Sequence, residues 1–314
     1  MAETVAERME AGVRRPHSAL VGWTAALVSA CAFGTAGAFA KPLLASGWSP
    51  GAVVAVRLGL AAIVLLIPGL MALRGRWQLL LSQWRPLLAY GVFGGATAQV
   101  AFFNAVQYVP VGLALLMEYL AILLVVAWVA VRSRRLPSKL TLVGTVVAIA
   151  GLVVVLDPTG MVGLDLRGIA WGSLAACGLA VYFVISARPM ELPPLTFVGV
   201  GLAVGTVTIL IAGAVGLMPM QASFIDVVFV GLTLPWWAPL VVLALVAAAT
   251  AYALGFVGVQ YLGSTVASFV GLTEVLFAVA WAWLLLGELP GLLQLVGGVI
   301  MLAGVAAVQR GQTD

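Results

Sequence analysis

The chain has 314 residues, 63% of them hydrophobic and 8% charged, with a formal net charge of +4 and a mean hydropathy of +1.18. A soluble domain carries about 25% charged residues, so this chain has too few to cover a water-facing surface. The apolar residues come in long blocks rather than in alternation, which argues against a β-barrel and predicts an all-α polytopic membrane protein.

The first 17 residues are polar, MAETVAERMEAGVRRPH, and read as a cytosolic tail without a cleavable signal. Ten apolar blocks follow, near 18–40, 50–73, 86–107, 110–131, 138–156, 168–187, 194–217, 239–260, 263–286 and 290–309. The hydrocarbon core is about 30 Å thick and a helix rises about 1.5 Å per residue, so roughly 20 residues span it. Pro42, Pro50, Pro86, Pro110, Pro137, Pro239 and Pro290 sit at or just inside block edges, where a helix tolerates proline best. Cys31 and Cys177 lie in separate apolar blocks and read as small reduced core residues.

Basic residues set the orientation. With the N-terminus inside, the inner segments hold Arg8, Arg14, Arg15, Arg74, Arg76, Arg85, Arg132, Arg134, Arg135, Lys139, Arg188 and Arg310. The outer loops hold only Lys41 and Arg167, beside Asp157, Asp165, Asp226 and Glu288. The expected arrangement is a multi-pass plasma (inner) membrane protein with both termini cytoplasmic. Topology accounts for the positive charge, so no nucleic-acid partner is expected. The connection from Met218 to Pro235, with Phe224 and Phe229 and followed by Trp236 and Trp237, reads as an interfacial segment.

The chain repeats itself. A shift of 153 lays Trp84-Arg85-Pro86-Leu87 on Trp237-Ala238-Pro239-Leu240. Without a gap it then lays Thr97 on Thr250, Gln107-Tyr108 on Gln260-Tyr261, Ala127-Trp128 on Ala280-Trp281, Pro137 on Pro290 and Gly144 on Gly297. A shift of 147 puts Lys41-Pro42 on Arg188-Pro189. Each half holds five helices. Five is odd, so the second half enters from the opposite side, as in the inverted-topology repeats of secondary transporters. The predicted division is a tail at 1–17, repeats at 18–156 and 157–309, and a tail at 310–314.

Leu286-Gly287-Glu288-Leu289-Pro290, followed by Gln294 and Gly297, resembles the turn before the last helix in the drug/metabolite transporter superfamily, in its EamA-type ten-helix form. The likeness covers about residues 18–309. The first half keeps Pro137 and Gly144 with Arg134-Arg135 in place of Gly-Glu. The stretch Val111-Gly112-Leu113-Ala114-Leu115-Leu116-Met117-Glu118-Tyr119 is similar to the threonine/homoserine and amino-acid exporter branch, with an acid followed by an aromatic. That branch commonly continues with Gly-Pro where this chain has Ala121-Ile122. The resemblance implies a single-chain carrier with a central cavity, exporting amino acids or other small metabolites, with proton coupling in some members.

Two acids lie inside apolar blocks. Glu118 is about eight residues into the fourth helix from the outer side, and Glu274 about eleven into the ninth from the inner side. Both fall near the midplane, where alternating-access carriers hold their site. A charged, unpaired carboxyl there costs several kcal/mol, so each acid is either a coupling or counter-charge group or a hydrogen-bonded tie between helices. Arg57, seven residues past Pro50, is placed to meet a substrate carboxylate, to pair with an acid, or to snorkel to the interface. Thr97, Gln99, Asn104, Thr250 and Tyr252 cluster in the third and eighth helices, as cavity lining or as glue between helices. Tyr119 beside Glu118 is a further candidate, with packing as its plainer role. Gly91/Gly95 and Gly201/Gly205 permit close helix approach.

An intramembrane enzyme is the rival class. The one histidine, His17, is in the tail, so no H-E-x-x-H site exists, and no G-x-S-x-G elbow occurs. No G-x-x-x-x-G-K-[ST] loop is present, so transport driven by the chain's own ATP hydrolysis is not expected. A channel reading lacks a filter-like loop and four-fold symmetry. The expected partners are a small-molecule substrate, the lipid bilayer and, in a coupled carrier, protons. No cofactor or metal is expected.

Overall fold

Helix follows helix along the chain because every apolar block satisfies its backbone internally, as a bilayer demands. The computed structural model describes residues 16–156 and 165–312. The expected N-terminal tail up to Arg15, and Asp157, lie outside these residues. The membrane helices are α1 (Pro16–Ala45), α2 (Pro50–Leu73), α3 (Trp84–Ala105), α4 (Val111–Tyr119 with Ala121–Ser133), α5 (Lys139–Leu156), α6 (Leu166–Ser186), α7 (Pro194–Ala214), α8 (237–262), α9 (264–286) and α10 (Leu292–Gly311).

Among the described residues, nine helices are long and apolar enough to cross a membrane. One of them, Trp237–Gly271, has 35 residues and holds one crossing and the start of the next. Gly263 sits in it at φ 77° and ψ 165°, a geometry open to a residue without a Cβ, and there α8 stops and α9 begins. Thr273–Leu286 completes α9. The ten crossings are the ten apolar blocks.

The duplication extends to local irregularities. α3 holds a π-helical stretch over Tyr90–Thr97, and α8 holds one over Leu245–Thr250. Each ends at a threonine whose Oγ1 donates to the carbonyl five residues back: Thr97 to Val92 and Thr250 to Leu245, both at 2.8 Å. α4 is pinched at Leu120 and α9 at Leu272, where Leu123 N donates to Leu120 O at 2.9 Å and Val275 N to Leu272 O at 3.0 Å, a 3₁₀ spacing. α4 ends on Arg134 at φ 54°, and α9 on its repeat mate Gly287 at φ 71°. The family-like glycine takes this left-handed turn without strain; an arginine there costs about 1–2 kcal/mol.

α5 and α10 cross through glycines. A Cβ on Gly144 would stand 2.7 Å from Val308 N, and one on its mate Gly297 would stand 2.6 Å from Val155 N. α3 and α7 meet through the expected Gly91/Gly95 and Gly201/Gly205 pairs; a Cβ on Gly95 would lie 3.7 Å from Gly205 Cα. α2 and α7 are tied by Thr196 Oγ1 donating to Gly69 O at 2.6 Å. Both cysteines are free thiols, but Cys177 is exposed rather than in the core. On a membrane helix that surface is apolar, so an apolar block does not separate core from lipid.

The connection expected at the interface forms an antiparallel hairpin, β1 (Val227–Phe229) and β2 (Leu232–Leu234), a small departure from an all-helical chain. It rests on α1 and the start of α2 through Phe39–Phe229 (ring centroids 5.0 Å apart), while Trp48 stacks on Trp236 at 5.9 Å. Ser49 caps α2 and also donates to Pro219 O at 2.8 Å. Lys41 and Glu288 form an exposed ion pair on the same side. This side is the hairpin face. The opposite, basic face carries Arg74, Arg134, Arg135, Arg188 and Arg310.

Candidate functional site

The pinched turns of α4 and α9 place the two intramembrane acids. Glu118 lies two residues before Leu120, and Glu274 two residues after Leu272. The two carboxyls are within electrostatic reach of each other and of Arg57. The Tyr119 hydroxyl lies within hydrogen-bonding reach of Glu274. Tyr119 itself is buried at 8% exposure.

Arg57 is 7% exposed and turned into the bundle, so it does not snorkel. Its Nη2 donates to Gln99 Oε1 at 3.5 Å, a long contact, and its Nε has no protein partner among the described residues. Tyr252, 4% exposed, sets its ring edge-on against Phe33 of α1 at 4.9 Å and faces Tyr182 of α6 at 6.0 Å. It too lies within reach of Arg57 and both acids. Five helices therefore converge: α2, α3, α4, α8 and α9. Among the described residues no group of three or more His, Cys, Asp or Glu side chains gathers as a metal site would require.

Both acids keep partial accessibility, as do most residues of 113–120 and 276–282. A carboxyl turned to lipid is costly, so their accessible surface belongs to a space between the helices. Residues 264–270 are all buried. There Val266, Phe269 and Val270 pack with Ile122 and Val126 of α4. The basic-face half of α9 is thus packed against α4, whereas its hairpin-face half keeps partial accessibility.

Glu118, Glu274, Arg57, Gln99, Tyr119 and Tyr252 come together. Thr97 and Thr250 do not join them. Each hydroxyl is bonded within its own helix, and Thr250 is exposed on the outside of the bundle. Asn104 is buried with its amide on Val100 O at 2.8 Å, again within its helix. Sequence reasoning missed Tyr182 and Tyr90. Tyr182 is within reach of Glu274 and Tyr252, and Tyr90 lies 5.5 Å from Tyr182, ring to ring. A tyrosine inside an apolar block was the available signal.

The arrangement offers one guanidinium, two carboxyls, an amide and phenol faces within reach of one another inside the bundle. Such a set suits a small zwitterion: the guanidinium for a carboxylate, the acids for an ammonium, and the rings for a cation or an apolar side chain.

The sequence profile of the EamA-like transporter family matches residues 20–157 and again 166–309. A protein of Archaeoglobus fulgidus described as an uncharacterized transporter is 29% identical over 230 residues, covering 72% of this chain and 77% of the relative. A solved crystal structure superposes with a TM-score of 0.74 at 20% identity, covering 94% of this chain and 96% of the other, and so shares the fold.

Proposed function

The chain belongs to the EamA-like transporter family, and on that premise we propose that it is a secondary carrier exporting an amino acid or related small metabolite by alternating access. The observation that supports this reading is Arg57, buried inside the bundle, within electrostatic reach of both Glu118 and Glu274. The substrate carboxylate takes Arg57 and Gln99, and its ammonium takes the acids. In this reading the two repeats, 18–156 and 157–309, are inverted halves that rock about the site. The basic face is cytoplasmic in the plasma membrane, following the positive-inside rule. The family and the archaeal relative are transporters, which favours a carrier over an enzyme.

The test is counterflow in proteoliposomes across the amino acids. Saturable exchange of at least one amino acid is the expected result; its absence for all of them removes the amino-acid assignment. Thiol labelling of Arg135→Cys from inside intact cells and of Asp226→Cys from outside checks the orientation, and the reverse pattern overturns it.

A second reading, a proton-coupled exporter of organic cations, rests on the imbalance of two carboxyls against one guanidinium. It expects cation flux driven by an imposed pH gradient, with amino acids inert.

A further inference from the structure

The two halves differ at a place where their sequences match. Gln260 stands at the basic-face end of α8, and its Nε2 donates to the Ser186 carbonyl and, at 2.8 Å, to the Arg188 carbonyl at the end of α6. Its repeat mate Gln107 stands at the hairpin-face end of α3. Both glutamines are exposed, but the Gln107 amide reaches Phe103 O of its own helix, at 3.4 Å, and no other helix among the described residues. The shift of 147 makes Phe39 and Lys41, at the end of α1, the mates of Ser186 and Arg188. α6 packs against α8, whereas α1 and α3 share at most a fringe contact among the described residues. One end of the molecule is latched and the equivalent opposite end is not.

Behind the latch lie three hydroxyls with no protein partner among the described residues: Ser186 Oγ, Tyr182 Oη and Tyr90 Oη. Their residues are 0%, 5% and 0% exposed. Ser186 and Tyr182 are one turn apart on α6, and the Tyr90 ring adjoins Tyr182. The row runs from Tyr252 at the site to Gln260 at the basic face. Buried hydroxyls normally find partners, and a half that stayed sealed would be better built from apolar residues. Water meets these groups when the half opens.

We propose that Tyr90, Tyr182 and Ser186 line the basic-face half of the translocation path, shut in this structure, and that Gln260 is its latch, with Gln107 the latch of the opposite face. This rests on the alternating-access reading but not on the identity of the substrate. In the other state Gln107 takes the carbonyls at the end of α1 while Gln260 lets go of α6.

The experiment uses Ser186→Cys in a Cys31→Ser, Cys177→Ser background, in vesicles exposing the basic face, with a charged thiol reagent and no substrate. Adding Gln260→Leu removes two hydrogen bonds that hold the closed state, so labelling is expected to quicken about tenfold. Adding Gln107→Leu instead is expected to leave the rate at or below that of the parent. Equal rates with and without Gln260→Leu, or no labelling in any variant, overturn the proposal. Should Ser186→Cys not fold, hydrogen exchange over 182–190 in Gln260→Leu against the parent reads the same opening: faster exchange supports it and unchanged exchange overturns it. Neither readout contains an amino acid, so its failure and that of the counterflow test are separable.

Discussion

Glu118 and Glu274 occupy the same helix of the two repeats, yet their surroundings are unlike. Glu274 falls in the first turn of Thr273–Leu286 and has the Tyr119 hydroxyl in reach. Glu118 falls at the end of Val111–Tyr119, and its neighbours are charges: Glu274 and Arg57. Nor are the two acids strict copies, since a shift of 153 carries Glu118 to Gly271 and brings Glu274 back to Ala121. The scaffold was duplicated, but the charges were placed separately in each half. The surroundings are therefore asymmetric, with the Tyr119 hydroxyl in reach of Glu274, and on the proposed function Glu118 is expected to be the acid more available to a substrate or a proton.

The largest effect is expected from the pair. Glu118→Gln with Glu274→Gln keeps shape and hydrogen bonding while removing ionisation, so the protein is expected to fold and its flux to fall tenfold or more, about 1.4 kcal/mol in a barrier. The pH profile of initial counterflow is expected to flatten. The single variants sharpen the contrast, with Glu118→Gln expected to cost more flux than Glu274→Gln. Equal losses would break the asymmetry, and wild-type flux in the double variant would make both acids structural.

α5 and α10 supply the symmetric control. Gly144 and Gly297 are repeat mates, and an added Cβ on each meets backbone nitrogen at 2.7 and 2.6 Å. Each change to Ala overpacks a helix crossing and is expected to cost about 1–3 kcal/mol, and the two costs are expected to agree, as measured by thermal unfolding in detergent. A large disagreement would mean that the repeat symmetry does not hold even at this crossing.

Arg57→Lys keeps the charge and loses the planar fork. With Gln99 in hydrogen-bonding reach of Arg57, a few-fold rise in the counterflow KM is expected, on the order of 1 kcal/mol. Unchanged KM and rate would remove Arg57 from substrate binding and leave it as the counter-charge of the acids.

The helix count was legible because Pro, Gly and Arg punctuate each apolar block, and because the duplication repeats rare residues such as Trp84/Trp237 and Gln107/Gln260. The inward turn of Arg57 was left open between three readings, since position within a helix fixes depth but not facing; burial against α3 decides the facing. Tyr182 and Tyr90 were passed over because an isolated tyrosine in an apolar block reads the same at a helix contact as at a site. Their meeting depends on how α3 and α6 cross. The π-helical stretches left no trace in hydrophobic periodicity, so Thr97 and Thr250 looked like cavity lining.

Those threonines give the smallest expected effect. Thr→Val keeps the shape and removes the hydroxyl. At Thr97 and Thr250 the hydroxyl donates to a carbonyl five residues back, so each variant is expected to lose about 0.5–1.5 kcal/mol of stability. Gln99 and Tyr252 lie two residues beyond these threonines, and the extra residue of the π turn sets which way they face. If the turn survives the loss of its hydroxyl bond, counterflow KM stays within about twofold of the parent, well under 1 kcal/mol, while the melting temperature falls. If the turn reverts to α, Gln99 or Tyr252 rotates away from Arg57, and KM and melting temperature change together. A rise in KM with no change in stability would mean that the hydroxyls touch the substrate after all. Thr250 is the stricter test of the two, because its exposed side chain faces away from the site and has no route to the substrate except through the turn it caps.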